Sequence, residues 1–276
     1  MKSFLAAHPG VQVSHVTDIG LREYMEDRLD VRVIGSDGLL MTICDGHGGS
    51  ACANFVIKRY PLVVAERLSA KQKKRPLTIM KEALKQVSDD WDHLSFNGSP
   101  APKTSEARQK FFEGRRKSKR NTSLMSGTTL LSCYLEASRR QCHVLNLGDS
   151  RAAWQLGHTV SSTRDHKPNQ EDVSAIRGFN TWVEMDEDVP RLNGDLSVGR
   201  SIGDNTPVLS GCILREPYTY VVKYPHHTLK LILASDGLWD EVGDIQQLFT
   251  STSAEAFIKD HTTSDNLSVI YLVHSR

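Results

Sequence analysis

Four apolar segments of this 276-residue chain run into, or out of, an aspartate that sits beside a glycine or an asparagine. They are LLMTICDGHGG, VLNLGDSR, LILASDGLWDE and TTSDNLSVIYLV, which place Asp45, Asp149 and Asp236 where a buried strand emerges and Asp265 where one begins. A carboxylate at a strand end is held rigidly, and a neighbouring glycine lets backbone and ligand come close. One such aspartate reads as a turn former. Four of them, with Glu26 and Asp27 added, read as a convergent carboxylate set. Oxygen donors without clustered cysteine, and with one well-placed histidine in His47, suit Mg²⁺ or Mn²⁺ better than Zn²⁺. Converged carboxylates repel one another unless cations neutralise them. Two cations sharing a carboxylate can lower the pKa of a water between them and aim it at a phosphorus atom.

The elements that must position these groups follow from length, β-branched content and flanking turn residues. Strands are predicted at 11–16, 29–35, 39–44, 128–137, 141–148, 151–156, 229–235 and 267–273. Short turns join 29–35 to 39–44 and 128–137 to 141–148, so both pairs are expected as antiparallel hairpins. Helices are predicted at 48–70, with a kink or break at Pro61, at 76–94, and at 168–178 with Pro168 in its first turn. Strands grouped in hairpins, with helices between them and no βαβ alternation, favour a layered mixed α/β domain over a doubly wound parallel sheet. Residues 97–124 are polar, basic and rich in Gly and Pro, and read as an exposed loop or disordered insertion within one domain spanning 1–276.

Composition narrows the function classes. The chain is 39% hydrophobic and 24% charged, with a formal net charge of +1, which gives no global attraction to nucleic acid or membrane. No apolar run approaches membrane-spanning length, and the apolar stretch before His8 and Pro9 is too short for a signal-peptide core. The five cysteines are odd in number and form no CxxC pair. They read as buried reduced thiols, and a cytoplasmic or nuclear location is expected.

The ordered series of motifs resembles the metal-dependent protein phosphatases of type 2C (the PPM family). It begins with Arg22-Glu23-Tyr24-Met25-Glu26-Asp27, Asp45-Gly46-His47-Gly48-Gly49 and Ser126-Gly127-Thr128-Thr129. Gly148-Asp149-Ser150-Arg151 and Asp165-His166-Lys167-Pro168 follow, and the series closes with Arg200-Ser201-Ile202-Gly203-Asp204, Asp236-Gly237-Leu238-Trp239-Asp240 and Asp265-Asn266. The resemblance runs from about residue 15 to residue 273. It implies two packed, mainly antiparallel β-sheets flanked by helices, and Mn²⁺- or Mg²⁺-dependent hydrolysis of phosphoserine and phosphothreonine by a water or hydroxide bridging two ions, with room for a weaker third ion. It further implies that Asp45 bridges the ions, with the Gly46 carbonyl beside it. Asp236 and Asp265 would complete the first site, Glu26 would reach the second, and Asp149 and Asp240 would belong to the third. Asp27 and Thr129 are expected to support these ligands from behind. Arg22 would grip the substrate phosphate with its planar donors, and His47 would protonate the leaving alkoxide.

Neighbouring residues have plainer readings. Asp204 is balanced between supporting the metal site and turning the chain after Gly203. His166 and Lys167 read as stabilisers of a loop and the following helix start, Trp239 as core, and His226-His227 as a surface turn. The basic run Arg115–Arg120 reads first as solvated loop charge, with nuclear import or docking of an acidic partner as a second reading. Ser197 and Gly199 depart from the family's more usual alanine and serine or threonine. The expected partners are phosphorylated proteins, acted on by a monomer. Two rival readings are a pseudophosphatase acting as a binding module, and a metallohydrolase of the same fold acting on a small phosphorylated metabolite.

Overall fold

The computed structural model describes residues 1–70, 74–96, 98, 102–115, 125–176, 179–260 and 263–275. Two five-stranded sheets carry the architecture. In the first, the order is β1 (Val11–Asp18), β15 (Leu267–His274), β14 (Leu229–Ala234), β8 (Arg151–Leu156) and β9 (Thr159–Ser162). In the second, it is β13 (Tyr218–Lys223), β7 (Gln141–Leu147), β6 (Leu130–Glu136), β3 (Gly38–Cys44) and β2 (Arg28–Ile34). Every pairing in both sheets is antiparallel. β2–β3 and β6–β7 are the two expected hairpins.

Alternation along the strands explains why the sheets stack. Leu39, Met41 and Ile43 of β3, with Leu131, Cys133 and Leu135 of β6, face Leu229, Leu231, Leu233, Ile270 and Leu272 of the first sheet. The intervening Leu40, Leu130 and Leu145 face the other way, onto helices α2 (Ala51–Ser69) and α3 (Pro76–Ser95), where they meet Val56, Tyr60, Met80, Leu84 and Trp91. β3 is therefore buried on both faces, and its sequence is a nearly continuous apolar run, broken by the buried Thr42 that meets Ser132, rather than an alternation. The outer face of the first sheet, with Ile232, Val269 and Tyr271, packs on Leu238, Trp239, Leu248 and Phe257 from short helices between residues 236 and 260. The result is a helix–sheet–sheet–helix layering.

Several expectations change in detail. The strand predicted over 128–137 is two pieces: β5 (Gly127–Thr128) pairs with β4 (Gly46–His47) and β12 (Ile202–Gly203), and β6 begins at Leu130. The break falls at Thr129, whose N–H donates to the Asp45 carbonyl rather than to a ladder partner. α2 runs unbroken through Pro61, because the burial of Tyr60, Val63 and Val64 outweighs the one hydrogen bond a proline removes. Pro168 stands ahead of its helix, which spans Gln170–Ala175 and is capped by Asn169, whose side chain accepts from the Asp172 N–H. Within 97–124 the chain forms helix α4 (Ser105–Arg115), and residues 116–120 of the basic run lie outside the described residues. The first residues also form a short helix, α1 (Lys2–Ala7). β10 (Val183–Asp186) and β11 (Val189–Leu192) make an isolated hairpin beside the sandwich, turned by Glu187 at φ 55°.

Candidate metal centre

In the antiparallel sandwich the ends of β3, β7 and β14 and the start of β15 lie at one edge, so Asp45, Asp149, Asp236 and Asp265 emerge together. Oxygens of Asp45, Asp149 and Asp236 lie within 4.8 Å of one another. They open into a cleft of about 620 Å³ that Arg22, Glu26, Gly46, His47, Thr129 and Asp265 also line. Asp240, at the end of the helix that Asp236 starts, is exposed and does not line the cleft; its N–H donates to the Asp236 carbonyl. The opposite wall is made by Arg191, Asp195, Leu196, Ser197, Val198, Thr206 and Leu209.

The main chain around Asp45 is tightly held. Its N–H donates to Thr129 Oγ1 at 3.1 Å, and its carbonyl accepts from Thr128 Oγ1 and the Thr129 N–H, both at 2.9 Å. Thr129 Oγ1 in turn lies 2.8 Å from Ser150 Oγ. Gly148, at φ 109°, packs so closely on Thr129 that a methyl group there would overlap it. Glycine beside Asp149 is thus a requirement of both backbone conformation and space.

Crowding of like charge shows in the titration of the group. Burial, then Asp149, Asp240 and Asp265, push the Asp236 carboxyl up to about 7. Burial and Asp27 push Asp45 well above the usual carboxylate range. Asp27, 2% exposed, is raised by burial to about 6 although Ser235 Oγ donates to its Oδ2 at 2.7 Å, and its Oδ1 has no hydrogen-bond partner. A part-buried all-oxygen donor set held at this electrostatic cost fits a hard divalent cation, which would relieve the repulsion and fix the carboxylates as anions.

Two built-in cations already touch the set. Lys167 Nζ donates to Asp149 Oδ2 at 2.8 Å, so it reaches into the carboxylate cluster rather than serving only its loop. Burial works against its charge, yet Asp149 outweighs that and raises the Lys167 pKa. The exposed Arg22 pairs with Asp265 at 2.5 Å. Arg151 is held two-pronged by Asp165 at 3.0 and 2.7 Å and lies over the Trp239 ring, so Asp165 serves the frame and not the cation site. His166 stacks on Tyr218 at 4.2 Å with its Nδ1 against the Gly148 backbone, and burial lowers its pKa to about 4. Trp239 is core, and His226 and His227 are exposed.

His47 Nε2 lies 2.8 and 2.9 Å from the two oxygens of Asp204. Burial disfavours the imidazolium, but the Asp204 charge and hydrogen bond prevail and raise the His47 pKa. Asp204 turns the chain, at φ 54°, and its side chain partners His47 rather than a carboxylate of the cluster, a role its sequence position did not show. The sequence also underused Asn266. Its Oδ1 accepts from the Glu26 N–H at 2.7 Å and its Nδ2 donates to the Ile19 and Tyr24 carbonyls, knitting the 19–26 loop to the start of β15. Its place directly after Asp265 was the available signal. Gly199, a departure from the family pattern, lets its own segment meet the 166–167 loop: a methyl there would fall 2.7 Å from the Lys167 carbonyl oxygen.

Comparison with known proteins agrees with this fold. The family model "Protein phosphatase 2C" matches residues 35–249, and the chain belongs to that family. It is 29% identical over 261 residues to "Probable protein phosphatase 2C 71" of Arabidopsis thaliana, covering 89% of this chain and 48% of that one. The chain spans about half the length of the first curated relatives it matches. The serine-threonine phosphatase 2C of Toxoplasma gondii shares the fold at a TM-score of 0.65 and 19% identity, over 95% of this chain and 94% of that one. So does the catalytic domain of PstP, solved with two manganese ions, at a TM-score of 0.59 and 19% identity, over 95% and 98%.

Proposed function

We propose that this chain hydrolyses phosphoserine and phosphothreonine in other proteins, with Mn²⁺ or Mg²⁺ held by Asp45, Asp149 and Asp236. The observation that carries this is the convergence of those three carboxylates in one cleft with Glu26, Asp265, Arg22 and His47. The Gly46 carbonyl, Glu26 and Asp265 stand beside the three as further donors. A pair of hard cations there supplies an acidified water and neutralises charge on the transferring phosphoryl group.

The chain's own groups do the rest. Arg22, exposed at the cleft, offers a planar fork matched to phosphate oxygens once it exchanges Asp265 for substrate. His47 gives a proton to the serine or threonine oxygen as its bond to phosphorus breaks and the electron pair stays on that oxygen. The attacking water releases a proton to solvent, and His47 regains one from solvent, so the products are the free hydroxyl and inorganic phosphate. Thr129 and Asp27 hold the carboxylate wall in place.

The test is phosphate release from a phosphothreonine peptide with Mn²⁺, with Mg²⁺ and with EDTA, beside Asp45→Asn. Metal-dependent turnover lost in EDTA and in the variant supports the reading. A folded wild-type protein with no turnover in either metal overturns it in favour of a binding role, and turnover confined to small phosphorylated metabolites overturns the substrate class.

A further inference from the structure

We propose that Asp204 is the positioning residue for His47, fixing the imidazole so that Nε2 is committed to the carboxylate and Nδ1 is left to deliver the proton. This rests on His47 being the proton donor of the proposed reaction.

The pairing is built rather than incidental. Asp204 is 2% exposed, and a buried carboxylate is tolerated only where its oxygens are satisfied. Here both face His47 Nε2, and Ser201 Oγ donates to Oδ2 at 2.5 Å. Its backbone is equally constrained. The residue sits at φ 54°, a left-handed conformation unusual for a side chain other than glycine, asparagine or aspartate, and its N–H donates to the Ser126 carbonyl at 3.2 Å. Such conformations persist where the surroundings over-determine them, and they concentrate at working sites.

Space is reserved for the pair as well. A methyl group on Gly127 would overlap both the Asp204 carboxylate and the His47 ring, so the glycine of β5 is what lets the two meet. From behind, Asn205 Nδ2 donates to Asp92 Oδ1 on α3 at 2.9 Å, and Arg215 grips the same aspartate at 2.6 and 3.0 Å. The segment carrying Asp204 is thereby tied to the helical layer as well as to β5. An imidazole held at one nitrogen by a carboxylate has its orientation and tautomer set, which is how a proton donor is kept aimed between turnovers.

The measurement compares kcat and KM for a phosphothreonine peptide, whose alkoxide must be protonated as it leaves, with those for p-nitrophenyl phosphate, whose phenolate need not be. His47→Gln, Asp204→Asn and Ser201→Ala are compared with wild type at saturating Mn²⁺. His47→Gln is expected to lower kcat on the peptide roughly 100-fold or more while changing p-nitrophenyl phosphate turnover far less. Asp204→Asn is expected to show the same selectivity at roughly 10- to 100-fold, with peptide KM within about twofold. Ser201→Ala should show it at several-fold, and decides the matter if Asp204→Asn does not fold. Selective loss in His47→Gln, with equal or absent effects on the two substrates in both other variants, overturns the role of Asp204 while leaving that of His47. Loss of selectivity in His47→Gln itself overturns the proton-donor reading, and Asp204's role with it.

Discussion

One wall of the cleft is made of aspartates at the ends of strands that run through the buried sandwich. The other, between residues 179 and 215, is made of a two-stranded hairpin and turns lying beside it. The first inherits its rigidity from Leu39, Met41, Leu231 and Ile270, several residues away in the core. The second has only a small apolar cluster of its own, around Val173, Leu192 and Leu209, and is held by side chains that hook backbone groups. Arg108 of α4 donates to the Val208 and Ser210 carbonyls at 2.9 and 3.1 Å, and Asn193 Nδ2 donates to the same Val208 carbonyl at 2.9 Å. Arg200 is locked two-pronged to Asp172. A wall fixed by a core suits chemistry that must not drift. A wall fixed by a few replaceable hooks suits the recognition of different substrates.

The comparison breaks most visibly at Asp236. Asp236→Ala should cut turnover by more than the roughly 10- to 100-fold typical of outer partners, with calorimetric loss of Mn²⁺ binding. Wild-type turnover at saturating Mn²⁺ would place the site elsewhere. Thr129→Val tests whether the strand-end wall works through its backbone. It leaves the Asp45 N–H without an acceptor and should weaken Mn²⁺ affinity about 10- to 100-fold without changing peptide preference.

Proton linkage gives a third test of the same wall. Asp27 and Asp236 have folded values near 6 and 7, above their unfolded value of 3.8, so the metal-free fold favours their protonated forms. Their contribution to stability is complete below about pH 4 and is lost as pH rises through about 7. The melting temperature of the EDTA-treated protein should therefore fall across that window. Mn²⁺ at about 100 times its Kd should restore roughly 5–10 °C at pH 7.5 and less at pH 5. A metal-free melting temperature that rises from pH 4 to 7 would contradict the charge crowding. The smallest effect belongs to the hooked wall. Arg108→Gln should raise peptide KM about 3- to 10-fold, as expected for losing hydrogen bonds worth about 1 kcal/mol, with Mn²⁺ affinity and p-nitrophenyl phosphate turnover unchanged.

The same division governs how much could be read from residues alone. Asp45, Asp149, Asp236 and Asp265 were visible because each ends or begins a long apolar run, and the runs themselves marked both sheets and their hairpins. β4, β5 and β12 are two residues each, too short for any periodicity, yet they bring His47, Gly127 and Asp204 together. The His47–Asp204 pair is separated by 157 residues, and Arg22–Asp265 by 243, so neither leaves a local pattern. Lys167 was read as a stabiliser of its loop, and only the fold shows its amine beside Asp149. α4 was hidden by the polar composition around it, since its anchoring contacts lie on the distant 208–212 turn.

The pairing of β1 with β15 has a consequence for where this scaffold can be labelled. Val11 lies opposite His274 at one end of the ladder and Asp18 opposite Leu267 at the other, the end nearer the cleft. The Ser275 N–H donates to the Gly10 carbonyl at 2.8 Å, so residues 10 and 275 are already neighbours. With eight residues in each strand, that junction is about 25 Å from the metal-binding edge. A probe attached at that junction would sit at the far end of the sandwich from the cleft, leaving the carboxylate wall and its opposite untouched. The same spot is where a reporter domain could be grafted without shadowing the cleft.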